Sequence, residues 1–357
     1  AQYPMLFRVE NALLSYCRYL GQMIWPVGLH PHYPYSDAIP LLTVVGAAGF
    51  LGMVSFVILR ACKSRPYLTV GWMWYLVTLL PVIGIIQQGA FALADRYTYF
   101  PLIGIFIMIA WGVDDLARKR NLAGRGKVGL GLAVLLVLAG CCYRQVGFWR
   151  DTPTLFSYTL SVDPANRIAL SQMGVYFRDR GQLAEASRYL EKARNLYPDD
   201  FDARANLGQL YDYQGRFQAA LVEFDAAHRI NPERPDALIR MGVIRARQGD
   251  LTGAERDLVK AVQVAPTYVD GKYNLALVHF QQGRLDLAEQ ELAGLTRTNP
   301  DFADAYNILG LVLLAQGRKD EAVAAFREAI RLNSAFQDAR KNLQYALGDG
   351  SGDGQLP

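Results

Sequence analysis

Pro164, Pro198, Pro232, Pro266 and Pro300 recur every 34 residues, and Gly181, Gly215, Gly249, Gly283 and Gly317 keep the same interval. Five residues after each glycine stands an alanine: Ala186, Ala220, Ala254, Ala288 and Ala322. A small residue also recurs at Gly174, Gly208, Gly242, Ala276 and Gly310. A fixed period constrains a fold more tightly than composition does, because each unit must present the same face to the next one. Glycine ends one helix in a left-handed turn, and proline stops the following helix. The small residues let the two helices approach, with Leu190, Phe224, Leu258, Leu292 and Phe326 beside them. The pattern predicts paired antiparallel helices in five units, 167–200, 201–234, 235–268, 269–302 and 303–336. Residues 337–347 follow as a capping helix, and a Gly/Asp-rich tail over 348–357 reads as disordered. Repeat 4 departs once, with Leu295 where the others have Ala.

A 34-residue period with these features is identified as the tetratricopeptide repeat (TPR), which stacks into a superhelical solenoid. In such a solenoid the residues two before the small position line the concave groove. Here they are Gln172, Asn206, Arg240, Asn274, Ile308 and, in the cap, Asn342. An asparagine side chain offers a donor and an acceptor together, matching the backbone of an extended peptide. The row resembles the asparagine ladders by which some TPR domains hold peptides; the bland alternative is a set of solvated groove residues.

The first 150 residues are a different material. They carry 13 of the 37 Lys/Arg and 5 of the 33 Asp/Glu, so the remaining chain has 24 and 28. The basic, apolar half and the mildly acidic half average to a pI that says nothing about nucleic acid, and no nucleic-acid partner is expected. Residues 39–59, 68–86, 97–113 and 128–143 are free of charge and read as four transmembrane helices. The first connecting loop holds Arg60, Lys63 and Arg65, and the third holds Arg118, Lys119, Arg120, Arg125 and Lys127. The positive-inside rule puts both in the cytoplasm, so the second loop and everything after residue 143 face outward. Residues 7–27 form an amphipathic helix, with Arg8, Asn11, Ser15, Arg18 and Gln22 opposite Val9, Leu13, Tyr16, Leu20, Ile24 and Val27. It either lies in the interface or spans with its polar stripe toward a cavity. Residues 151–166 read as a linker. The expected fold class is all-α, a helical transmembrane bundle followed by the TPR solenoid, in an integral membrane protein.

Cys17, Cys62, Cys141 and Cys142 all fall in the apolar half without metal-ligand spacing and read as buried thiols. Neither a metal nor a cofactor is expected, and the sequence has no phosphate-cradling Gly-rich loop, GxSxG or HExxH. Asp114 and Asp115 stand beside basic residues and read as a solvated helix end. The outward stretch "ADRYTYFP", residues 94–101, is the conspicuous one. Its Asp95 and Arg96 sit between two apolar runs, followed by Tyr97 and Tyr99.

"NALLSYCRYLGQMIWPVGLHPHYPYS", then "ADRYTYFPLIGIFIMIAWG", then the repeats resemble bacterial relatives of the transmembrane and TPR-containing mannosyltransferases, which are GT-C type glycosyltransferases. The resemblance implies a polyprenyl-phosphate sugar as donor, used on the outer side of the membrane, and a TPR domain that binds protein acceptors. It implies a bacterial inner membrane with the TPR domain extracytoplasmic. Asp95, Arg96, Tyr97, Tyr99, His30, His32 and Tyr33 become candidates for the lipid-phosphate and sugar site. An arginine pairs with two phosphate oxygens at once; the alternative is a helix-start charge pair in an aromatic belt. That class carries its catalytic acid in the first outer loop of a bundle of about ten or more helices. This chain reads as the C-terminal part of such an enzyme, with the catalytic base outside it. The competing reading is a non-catalytic membrane-anchored TPR scaffold, and a third is a lipid-linked polysaccharide ligase or polymerase.

Overall fold

The computed structural model describes residues 3–26, 28–29, 33–34, 39–85, 91–93, 95–119 and 124–348; the side chains of residues 34, 91–96, 124, 125, 127 and 130 lie outside that description. The chain divides into two compact units, Ala1–Tyr176 and Phe177–Pro357.

The first unit contains α1 Met5–Ile24, β1 Tyr33–Pro34, α2 Leu41–Arg60, α3 Pro66–Leu79, β2 Phe91–Leu93, a 3-10 turn Asp95–Thr98, α4 Leu102–Lys119, α5 Gly124–Phe148 and α6 Thr152–Val162. Two stretches, Leu41–Arg60 and Gly131–Phe148 within α5, are long and apolar enough to cross a membrane among the described residues. The other boundaries differ from the uncharged runs for local reasons. α3 ends at Leu79, ahead of Pro81 and of Gly84 at φ 95°. Residues 97–100 stay outside α4, because Pro101 disfavours the helical region for the residue before it. α4 then runs on to Lys119, with Arg118 paired to Asp114 one turn back at 2.7 Å. Residues 152–162 of the expected linker are helical. Asp151 accepts a bond from the Thr154 N–H at 2.9 Å, and Pro153 occupies the first turn, a position where its missing N–H costs nothing.

α1 uses only part of the expected apolar face, with Leu13, Tyr16 and Leu20 packed in the core. Its buried residues are Asn11, Ala12, Ser15, Tyr16 and Tyr19, whereas Ile24 is 74% exposed. The buried strip therefore takes in one flank of the polar stripe. Tyr16 donates to the Leu76 carbonyl at 2.6 Å, Tyr75 donates to the Tyr16 carbonyl at 2.7 Å, and Ser15 bonds the Asn11 carbonyl. These bonds satisfy hydroxyls that would be costly to bury alone. α3 and α4 cross at Gly71 and Gly104, where a Cβ on either residue would run into the other's carbonyl oxygen.

α7 Arg167–Asp179 spans the division between the units. The second unit continues with α8 Leu183–Leu196, α9 Phe201–Tyr213, α10 Phe217–Ile230, α11 Asp236–Arg247, α12 Leu251–Val264, α13 Val269–Gln281, α14 Leu285–Thr298, α15 Ala303–Ala315, α16 Lys319–Leu332 and α17 Gln337–Leu347. Gly215, Gly249, Gly283 and Gly317 take φ between 71° and 81° in the turns after α9, α11, α13 and α15. The close approach read from the small residues is present: a Cβ on Gly208 would stand 3.0 Å from the Phe224 ring, on Gly242 2.6 Å from Leu258 Cγ, and on Gly310 2.5 Å from the Phe326 ring. The two-strand ribbon of five residues is a minor addition to an otherwise helical chain.

Consecutive repeats are also tied by a polar clamp. Gln282 and Arg284, flanking the positive-φ Gly283, both donate to Glu255 on α12, at 3.0 and 2.6 Å. One repeat later Gln316 and Arg318 hold Glu289 on α14 at 3.0 and 2.7 Å. The Gln282 bond, with those of Arg284 and His279, holds the Glu255 carboxyl down to about 2. Buried His279 stands between Glu255 at 3.3 Å and Glu291 at 3.2 Å, and burial pushes Glu291 above its ordinary range.

Candidate functional site

Two regions carry the residues singled out from sequence. The first lies in the N-terminal unit, where β1 pairs antiparallel with β2, Tyr33 opposite Leu93 and Pro34 opposite Phe91. This ribbon joins the loop after α1 to the stretch that runs directly into the Asp95–Thr98 turn. Tyr33 and the segment holding Asp95, Arg96, Tyr97 and Tyr99, about sixty positions apart in sequence, are thereby neighbours in space. Tyr97 is half-buried and Tyr99 is 79% exposed. His30 and His32 lie outside the described residues, as do the side chains of Asp95 and Arg96.

Further contacts place other groups around the ribbon. Gln22 at the end of α1 donates to the Tyr33 hydroxyl at 3.0 Å, and its own carbonyl oxygen is buried without a partner. Arg8 near the start of α1 donates to the Ile85 carbonyl at 3.0 Å. Trp74 donates to the Phe100 carbonyl at 3.0 Å, tying the end of α3 to the entry of α4. Tyr158 on α6 accepts from the Gly28 N–H at 3.2 Å, and the ring of Phe148 stacks on it at 3.9 Å. The segments around residues 28–34, 91–100 and 148–158 therefore gather at one end of the helices. The opposite end holds the basic loops, where Arg65 and Tyr67 both reach Asp115, at 3.8 and 2.8 Å. Asp115 is thus a tie between α3 and α4 rather than a purely solvated helix end. Sequence reading missed Trp74 and Tyr158, whose aromatic character reads the same in a core as in a site. Gln22 was visible as a member of the polar stripe but not as a neighbour of the ribbon, and Arg8 likewise not as a partner of the Ile85 carbonyl.

The second region is the groove row. Gly242 faces Leu258 on its partner helix, so Arg240, two residues earlier and about 200° around the axis, points the other way. Asn206 and Asn274 hold the same place on α9 and α13. Asn206, Asn274 and Ile308 are partly exposed and Arg240 is exposed. Asn274 donates to the Asp270 carbonyl at 2.7 Å, leaving its oxygen to other partners. Asn342 differs from the row it was grouped with: it is 6% exposed and donates at 2.9 Å to the oxygen of equally buried Asn307. Its amide ties α17 to α15. Gln172 is exposed and belongs to the N-terminal unit. Among the described residues no group of three or more His, Cys, Asp and Glu is placed to hold a metal ion.

The tetratricopeptide-repeat family model matches residues 172–235, 207–269 and 273–335. The chain is 25% identical over 207 residues to the protein O-mannosyl-transferase Tmtc3 of Drosophila melanogaster, covering 57% of this chain and 22% of that protein. It is 26% identical over 190 residues to the protein O-mannosyl-transferase TMTC4 of Mus musculus, covering 50% of this chain and 24% of that protein. The matched stretches thus span less than a quarter of these relatives. Among solved structures, YrrB, described as a TPR protein with an unusual peptide-binding site, is similar at 19% identity and a TM-score of 0.42, covering 52% of this chain and 96% of that one. The chain carries tetratricopeptide repeats and is homologous to protein O-mannosyl-transferases.

Proposed function

We propose that this chain is the C-terminal part of a membrane protein glycosyltransferase that takes a sugar from a polyprenyl-phosphate carrier and uses its TPR groove to hold protein acceptors. The reading rests on one observation above the others: a chain joining apolar helices to TPR repeats is homologous to proteins named as O-mannosyl-transferases. The ribbon adds geometric support, because it brings Tyr33 beside the Asp95–Thr98 turn. In the transfer, the bond from the sugar C1 to phosphate oxygen breaks with its electron pair going to the phosphate. A bond from C1 to a Ser or Thr oxygen forms, and the hydroxyl proton passes to a base outside this chain. Arg96 neutralises charge on the departing phosphate, and Asp95 orients that guanidinium or meets a sugar hydroxyl. Tyr33, Tyr97 and Tyr99 anchor at the interface and stack on the sugar, with His30 and His32 on the same side. The groove and this end of the bundle face the extracytoplasmic side of a bacterial inner membrane.

The test uses membranes carrying the gene product, radiolabelled polyprenyl-phosphate mannose and extracytoplasmic protein. Transfer to protein that Arg96→Ala abolishes, with the variant inserted and its repeats folded, supports the reading. Transfer that Arg96→Ala leaves unchanged refutes the phosphate role. Absence of transfer alongside intact acceptor binding favours the membrane-anchored scaffold.

A further inference from the structure

The groove changes character along its length. On α9 its floor is polar, with Asn206 and Gln209, and on α11 Arg240 stands one turn from the partly buried Val243. On α13 and α15 the position three residues after the row is Leu277 and Leu311, and the row itself ends in Ile308. These three apolar side chains are only partly buried.

The charges follow the same division. Arg204, Arg245 and Arg247, the other arginines of α9 and α11, are held by Glu223, Asp257 and Asp212. Arg240 is exposed and makes no ion pair or hydrogen bond among the described residues. Asp202 and Asp236, one turn toward the helix starts, are both bonded by Arg234, at 2.8 and 3.2 Å. Among the described residues Arg240 is therefore left as an uncompensated cation where the polar floor of α9 gives way to apolar side chains. Beyond it, Asp270, Asp304 and Asp338 occupy the first turns of α13, α15 and α17 and form no ion pair among the described residues. Their place in a first turn satisfies the helix dipoles, and it also gives the lip of the apolar half a negative sign.

Resting on the groove reading of the preceding section, we infer that the occupant is an extended peptide segment of mixed sign: a carboxylate seated on Arg240 and, farther along, an apolar side chain flanked by a basic one. Neighbouring helices stand roughly 10 Å apart, so Arg240 on α11 and Ile308–Leu311 on α15 are separated by about 20 Å. An extended chain rises about 3.3 Å per residue, which sets the acidic and apolar residues about six positions apart. The carboxylate meets a guanidinium that needs no internal bond broken, the apolar side chain covers Leu277 and Leu311, and the flanking cation faces Asp304. Charge of opposite sign at the two ends fixes the register along the groove, where a row of asparagines alone reads only backbone.

The test uses the full chain in detergent micelles and a fluorescein-labelled Gly/Ser decapeptide with Glu at position 2, Leu at 8 and Lys at 9, together with its reversed sequence. Fluorescence anisotropy should show one of the two binding, with Arg240→Gln or Glu→Gln in the peptide weakening it about tenfold. Arg240→Glu should restore binding of the peptide that carries Lys in place of Glu. Equal binding of the Glu and Gln peptides, or indifference to Arg240→Gln, overturns the inference. If binding still falls with Asn206→Ala and Asn274→Ala, the groove reading survives without it. No binding of any peptide overturns both. Self-association of the chain that the peptide does not displace makes a second copy the occupant and likewise overturns the inference.

Discussion

Gly310→Ala adds one methyl group at the tightest helix approach in the repeats. Its Cβ would stand 2.5 Å from Phe326 Cε1, 2.7 Å from Cδ1 and 2.8 Å from Cζ. Carbon atoms pack at about 3.5–4.0 Å, so the ring must retreat by about 1 Å. Phe326 is fully buried within the cluster of Leu313, Ala322, Val323 and Ala346, which leaves little room for that movement. Overpacking of this kind costs about 1–3 kcal/mol, against a gain of up to about 1 kcal/mol from replacing glycine inside a helix. The expected net loss is about 1–2 kcal/mol. Hydrogen-exchange mass spectrometry on the full chain reads it locally: amides of α15 and α16 should exchange about five- to thirtyfold faster, the factor that such a loss implies. Gly208→Ala, whose Cβ would meet the Phe224 ring at 3.0 Å, should cost less. Adding Phe326→Leu to Gly310→Ala should recover part of the loss, since residues in contact do not behave additively. Unchanged or slower exchange in Gly310→Ala would mean that the ring moves freely, and the close-packing account would be wrong.

Removing one member of the buried Asn307–Asn342 pair leaves a polar amide unsatisfied. Asn342→Ala should cost about 1–3 kcal/mol, and adding Asn307→Ala should cost little more in denaturant melts followed by circular dichroism. Glu255 is held below its unfolded value, so its stabilisation is present above the unfolded carboxylate range near 4.3 and disappears as pH falls toward about 2. Thermal melts between pH 6 and pH 3 should therefore show a shallower acid loss in Glu255→Gln than in the parent chain. Glu291 runs the opposite way: its raised value makes it favour the folded state in acid, and that contribution is lost as pH rises through its folded value. Gly71→Val should separate α3 from α4, because its side chain would enter the Gly104 backbone; cysteine crosslinking between the two helices should fall, while the repeats retain their exchange protection.

Periodicity made the second unit legible before any coordinates. Each repeat sees nearly the same neighbours, so one physical solution recurs and prints itself on the sequence as glycine turns, small residues and large partners. The exposure of the row opposite the small positions repeats for the same reason, except at Asn342. There no further helix follows among the described residues, and the amide turns inward to Asn307. The first unit has no such redundancy. Its uncharged runs located helices, but Pro81 fixed where α3 stops and Pro101 where α4 starts, and α1 buries Asn11 and Ser15 while Ile24 is exposed.

The sequence by itself determined that the chain joins an apolar helical part to a TPR array, and it marked out the unusual polar residues in each. Tertiary structure alone decided who meets whom: Tyr33 beside Leu93, Gln22 on Tyr33, Asp115 between Arg65 and Tyr67, and Arg240 left without a partner among the described residues. Local pattern records whether a side chain prefers water or apolar surroundings. Pairing between distant segments depends on the paths of the loops and on which donors remain after nearer bonds are made, and no single stretch of sequence carries that information.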